Sequence, residues 1–102
     1  MIRPSQEQIE DQIFHVQTLG LWVDSWSLCL FPVSKLHFNE GIKHPPNNLV
    51  IAIQKGKQIP PIVVKVKDGL NSIIDGHNRA SAALETNVKK LWTLFVKIKT
   101  KR

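Results

Sequence analysis

The stretch Ile73-Ile74-Asp75-Gly76-His77-Asn78-Arg79-Ala80-Ser81 decides how this chain is read. Its two isoleucines end an apolar, β-branched run, Gly76 permits a sharp turn, and an alanine-rich segment suited to a helix follows. A strand that passes into a helix within two residues exposes the helix's first unpaired N–H groups and its positive dipole end. Such an end accepts anions. Arg79 adds a guanidinium fork suited to phosphate oxygens. His77 and Asn78 can supply further hydrogen bonds, and Asp75 sets a carboxylate beside the anion, where it could hold a metal or orient a nucleophile. The same residues also make an ordinary helix start, with Asp75 as N-cap and Arg79 as a surface base.

Working upstream, Ile62–Lys67 is a β-branched strand in which Val64 and Val66 face one way and Lys65 and Lys67 the other. Asp68-Gly69 is a strong two-residue hairpin signal, so Leu70–Ile74 returns beside it. Pro60-Pro61 leads into that hairpin. Before it, Asn47 or Asn48 caps a helix that buries Leu49, Ala52 and Ile53 and closes at Gly56. Residues 37–48 form a loop with His37, Glu40 and His44. Leu28–Val33 is expected to be a buried strand limited by Pro32.

At the N-terminus, Ser5 and Gln8 form a capping box ahead of Ile9, Ile13 and Val16, and Gly20 offers a stop. Trp22 and Trp26 should cover a core or an adjoining subunit, with base stacking as the other use of an indole pair. Downstream, Ala80–Glu85 is helical, Asn87 can take the left-handed cap, and Leu91–Ile98 alternates as a last strand. Lys97, Lys99, Lys101 and Arg102 make a basic tail. Helices and strands are mixed around a central hairpin. The fold class is therefore α+β, a small mixed sheet packed by helices. Residues 1–27 are taken as an amphipathic helical extension and residues 28–102 as the domain proper.

A chain of 102 residues accommodates one hydrophobic core. No apolar run approaches a membrane span, and Glu7, Glu10 and Asp11 fall where a signal peptide would be apolar. One cysteine, Cys29, excludes an intramolecular disulfide and any multi-cysteine zinc site, and a reducing, cytoplasmic compartment is expected. The spacings of His37, His44 and His77 match no compact metal-ligand pattern, and His15 has no evident partner. Charge is uneven. Residues 1–27 hold Arg3 against Glu7, Glu10, Asp11 and Asp24, whereas residues 28–102 hold 13 bases against Glu40, Asp68, Asp75 and Glu85. That excess favours anionic partners such as nucleotides or nucleic acid, although it also suits a merely solvated surface.

The run Ile59-Pro60-Pro61-Ile62-Val63-Val64, the Asp68-Gly69 hairpin, Ile74-Asp75-Gly76-His77-Asn78-Arg79 and Ala82-Ala83-Leu84 together resemble the ParB/sulfiredoxin superfamily. Phe31-Pro32-Val33-Ser34-Lys35-Leu36 is similar to that group's first strand and the segment after it. The resemblance spans about residues 28–98 and implies an α+β fold whose strand-to-helix turn carries a nucleotide's phosphates. Sulfiredoxins have a catalytic cysteine in a Gly-Cys-His-Arg turn, but His77 and Asn78 occupy those places here. Sulfinic-acid reduction is therefore not expected, and Cys29 is read as packing. Partition proteins bind CTP through a Gly-Glu-Arg-Arg turn and continue into a helix-turn-helix domain, for which residues 28–102 leave no room. The turn is most similar to the Asp-Gly-His-His-Arg of archaeal free serine kinases, in which Asp75 and a loop glutamate, here Glu40, would be the working carboxylates.

The leading expectation is a domain that binds nucleotide phosphates, of the ATP or CTP class, with Mg²⁺ accompanying the nucleotide. Gly76, His77, Asn78 and Arg79 would hold phosphate, and Asp75 and Glu40 would serve phosphoryl transfer or nucleotide hydrolysis, with Asp75 on the metal. Two alternatives stay open. One is a nucleic-acid-associated regulator of the plasmid or phage type, or a nuclease-like protein, binding non-specifically. The other is an inactive version of the fold that engages a protein partner or a second copy through residues 4–26.

Overall fold

The computed structural model describes residues 1–99. Helix α1 (Gln6–Thr18) is followed by strand β1 (Val23–Pro32), a short 3-10 turn (Val33–Lys35) and helix α2 (Asn47–Gln54). Then come β2 (Ile62–Lys67), β3 (Leu70–Asp75), α3 (His77–Glu85) and β4 (Lys90–Ile98). The strands form one sheet in the order β1-β4-β2-β3. β4 runs antiparallel to β1 and parallel to β2, and β2 and β3 form the antiparallel hairpin. The α+β class and the mixed sheet follow as expected.

Local chemistry accounts for most of the boundaries. Ser5 Oγ accepts from the Gln8 N–H while Gln8 Oε1 accepts from the Ser5 N–H, closing the capping box that starts α1. Asp68 and Gly69 both adopt positive φ, as a type I′ hairpin requires. Asn87 has φ +58°, and the Val88 and Asn87 N–H groups reach back to the carbonyls of Ala83 and Leu84. These two bonds satisfy carbonyls the end of α3 would otherwise leave unpaired.

Apolar residues on both faces of the sheet are covered, which makes three layers. On one face Ile9 and Val16 of α1 pack against Val63, Leu94 and Val96. On the other, Ala80 and Ala83 of α3 pack against Ile62, Val64, Ile73 and Leu91, and α2 adds Val50 and Ile53 against Ala82. Ile62-Val63-Val64 is buried without a break because β2 is covered on both sides. The helix assigned from sequence to an extension thus supplies two of the five buried residues of one core layer.

Several expectations need correction. β1 begins at Val23 and is an edge strand, mostly half-exposed or exposed rather than buried, although Pro32 does end it. Trp22 and Trp26 lie on the surface at 64% and 41% exposure and cover no core. Pro46, not Asn47 or Asn48, caps α2, without a side-chain bond, and that helix buries Val50 and Ile53 while Leu49 and Ala52 are half-buried. Val66 is exposed because the pairing of β2 with β4 ends at Val64↔Phe95, although both strands run on beyond it. α3 begins at His77, three residues before the alanine-rich run. Thr100, Lys101 and Arg102, with the end of the basic tail, lie outside the described residues. No described helix is long and apolar enough to cross a membrane.

Candidate functional site

Gly76 is the pivot of the strand-to-helix turn. It is the N-cap of α3, with φ +97°, a conformation that L side chains avoid. A Cβ there would stand 2.6 Å from Ile62 Cγ2 and 3.1 Å from Arg79 Nη2. The glycine therefore lets β3, β2 and the Arg79 side chain meet at one point. No side chain caps α3, and its first internal bond runs from the Ala80 N–H to the Gly76 carbonyl at 2.9 Å. The N–H groups of His77, Asn78 and Arg79 precede that bond, so the helix gives them no partner.

These residues floor a cleft of 480 Å³ whose other walls are Glu40, Lys43, Pro46, Leu49 and Pro60. All six residues singled out in the sequence (Glu40, Asp75, Gly76, His77, Asn78 and Arg79) line it. The loop that carries Glu40 is tied to α3, since the Lys43 N–H donates to the buried Ser81 Oγ at 2.8 Å. Glu40 itself is exposed. Its carboxylate lies 3.7 Å from Lys43 Nζ and 3.8 Å from His77 Nε2, both too long for hydrogen bonds. His77 Nε2 is buried and has no hydrogen-bond partner.

The opposite wall is closed by bonds. Arg79 Nη2 donates to Asp75 Oδ2 at 3.1 Å and Nη1 to Gln12 Oε1 at 3.1 Å. Gln12 donates its own amide N–H to Asp75 Oδ2, which completes a ring of three side chains. His15 Nε2 stands 3.7 Å from Asp75 Oδ1. Burial lowers the pKa of Arg79 from its ordinary value, and the Asp75 charge and hydrogen bond oppose that shift. Gln12 carries no sign of this role in the sequence. It is a polar residue at 7% exposure on a helix whose partner lies 63 residues on. Its place among Ile9, Ile13 and Val16 on the apolar stripe is the one available signal.

The donor set does not suit a resident magnesium ion. Asp75 Oδ2 already accepts from a guanidinium and an amide, which leaves a cation only the single oxygen Oδ1, 3.7 Å from His15 Nε2. Among the described residues no three His, Cys, Asp or Glu side chains gather as a metal site. His37 lies outside the cleft, along the same β3 edge that ends in Asp75, where it bridges to Ser72 and its N–H donates to the Asn71 carbonyl. Cys29 is on β1, outside the cleft, and burial pushes its thiol up from the ordinary value, away from the reactive thiolate.

Neither a protein-family model nor a curated protein sequence matches the chain. Solved structures do. The C-terminally truncated chromosome-partitioning protein ParB from Caulobacter crescentus, complexed with CTP-γ-S, is similar with a TM-score of 0.59 and 18% identity. The match covers 72% of this chain and 46% of that one, so this chain spans about half of the partitioning protein's length. Sulfiredoxin from Arabidopsis thaliana is similar with a TM-score of 0.52 and 18% identity, over 68% of this chain and 83% of that one. The order of elements and the turn at Gly76 lead to the same conclusion as these matches: the chain has the ParB/sulfiredoxin-like fold.

Proposed function

We propose that this chain binds the phosphates of a nucleotide in the cleft above Gly76. The observation that carries the reading is His77 Nε2, a buried nitrogen without a partner, at the start of an uncapped helix. Three free N–H groups and a positive dipole end suit phosphate oxygens, and a ring N–H of His77 and the Lys43 ammonium would add donors from the side. The likeness to a ParB solved with a cytidine nucleotide analogue supports the same ligand class, and CTP and ATP are the nucleotides to test first. In this reading Arg79 acts mainly through Asp75. It cancels that carboxylate's charge, so the anion does not meet it unscreened.

Glu40 is the cleft carboxylate without a short hydrogen bond, so any proton transfer during phosphoryl transfer or hydrolysis falls to it. Calorimetric titration with CTP, ATP and ADP, each with and without Mg²⁺, tests binding, and phosphate release tests turnover. The expected result is binding of a triphosphate that Arg79→Ala abolishes. Absence of binding for all three would sink the proposal.

A second reading, non-specific association with nucleic acid, rests on the parallel pairing of β2 and β4. It gathers Lys65, Lys67, Lys97 and Lys99 at the end of the sheet opposite the turn. Retention of DNA in a gel shift that weakens steeply with salt would support it, and salt-insensitive or absent retention would not.

A further inference from the structure

The two edges of the sheet differ in how they are finished. Outside β3, the segment after the 3-10 turn covers the edge. His37 bridges to Ser72, its N–H donates to the Asn71 carbonyl at 2.9 Å, and Asn71 Nδ2 donates to the Lys35 carbonyl at 3.0 Å. Outside β1 nothing comparable occurs. Among the described residues, the backbone of Asp24–Pro32 bonds only to β4. Its outward N–H and C=O groups form an open ladder.

Natural edges are usually blunted by charges, prolines or bulges. β1 has its irregularity at Val23/Ser25 and its proline at the far end, Pro32. Between them Ser25-Trp26-Ser27-Leu28-Cys29-Leu30-Phe31 contains no charge and no proline. Alternation puts Trp26, Leu28 and Leu30 on one face, opposite Val96, Leu94 and Trp92 of β4. α1 shields Leu28 within its core cluster, but Trp26 and Leu30 are left 41% and 40% exposed.

We propose that β1 pairs with β1 of a second copy, antiparallel about a two-fold axis through Leu28, joining the two sheets into one of eight strands. This register is self-complementary. It sets Leu28 against itself, Trp26 against the other copy's Leu30, and Ser27 against the other copy's Cys29. The apolar residues that each monomer leaves exposed thus meet as cross-strand pairs. Charge supports the same register. The one charged residue of the strand, Asp24, falls opposite the other copy's Pro32, whose neighbour across β4 is Lys90. Like charges are not opposed anywhere along the seam. The interface lies away from the Gly76 cleft, so the proposal stands whether or not a nucleotide binds there.

Sedimentation velocity across a micromolar concentration series tests it, with circular dichroism confirming that each variant is folded. The wild-type chain is expected to sediment at twice the chain mass. Trp26→Lys with Leu30→Lys opposes lysines twice across the axis and should weaken association at least tenfold. Trp26→Asp with Leu30→Lys opposes unlike charges in this register and should restore the dimer. In a Cys29→Ser background, Leu28→Cys places two thiols directly opposite, at a Cα separation of about 4.5–5.5 Å that a disulfide can span, and mild oxidation should cross-link the pair. A wild-type monomer at every concentration overturns the proposal, even if the edge proves to accept another protein's strand. So does a dimer that survives the double-lysine change, or one that neither the unlike charges nor the cross-link recovers in this register.

Discussion

The two walls of the Gly76 cleft carry one acid each, and the acids are held very differently. On the α1 side Asp75 is three-quarters buried and bound by Arg79 and Gln12, with His15 close by. On the loop side Glu40 is 58% exposed and has only two long ionic contacts. The first wall is a fixed scaffold whose charge is already cancelled. The second can rearrange at little cost, because exposed ion pairs are worth little. A ligand that enters the cleft would be shaped by the first wall and would have to compete with the second.

The largest effect should come from the pivot of the fixed wall. Gly76→Ala forces positive φ on a residue with a Cβ and drives that atom to 2.6 Å from Ile62 Cγ2. Ile62 is 1% exposed and packed in the core, so it cannot move aside freely. Overpacking and backbone strain together should cost about 3–4 kcal/mol. Urea denaturation followed by circular dichroism measures it, and a loss below about 1 kcal/mol would show that the turn relaxes.

Arg79→Ala comes next, with a loss of about 2–3 kcal/mol. Removing one partner of a mostly buried pair leaves the other charge uncompensated. The expected value lies below that for a fully buried pair because Asp75 keeps a quarter of its exposure. The sharper measurement is the double change Asp75→Ala with Arg79→Ala. It should be less destabilising than the sum of the two single changes, and strict additivity would show that the ring does not act as a unit.

Gln12→Ala should cost about 1–2 kcal/mol, since it removes two hydrogen bonds made at a partly buried site. It should also weaken nucleotide binding, whereas an equally destabilising change at the α1 core, Val16→Ala, should not. Equal effects of the two on binding would reduce Gln12 to a packing residue.

How much of this was legible in the sequence divides along the same line. Features set by one to four neighbouring residues could be read directly: the Ser5/Gln8 box, the Asp68-Gly69 hairpin, the turn at Gly76 and positive φ at Asn87. The Gly76–Arg79 turn gave both the fold and the floor of the cleft, because a strand-to-helix reversal places its own residues. Features set by strand order could not be read. Leu28–Val33 looks apolar enough to be buried, yet pairing with β4 alone makes it an edge. Gln12 looks like a solvated glutamine until α1 is laid across the sheet within reach of Asp75. The residues before the domain proper were the hardest to place because their partners, such as Val63 for Ile9 and Asp75 for Gln12, lie far along the chain.

The smallest effect on stability, and the most informative about the movable wall, should come from Glu40→Gln. Its two ionic contacts are long and solvent-exposed, so unfolding should shift by no more than about 0.5 kcal/mol. Its effect on binding should be larger and of the opposite sign. The Glu40 carboxylate lies beside His77 Nε2 and Lys43 Nζ, the two side-chain donors a phosphate would need, so it acts as a competing anion. Neutralising it removes that competitor and the repulsion together, and triphosphate affinity should rise several-fold. The same change should abolish any turnover if Glu40 is the base. Tighter binding with hydrolysis lost would assign both roles to one carboxylate, and tighter binding with hydrolysis intact would leave it only as the occupant that the ligand displaces. Weaker binding would mean that the loop side helps to hold the ligand, and that the contrast between a fixed and a movable wall is wrong.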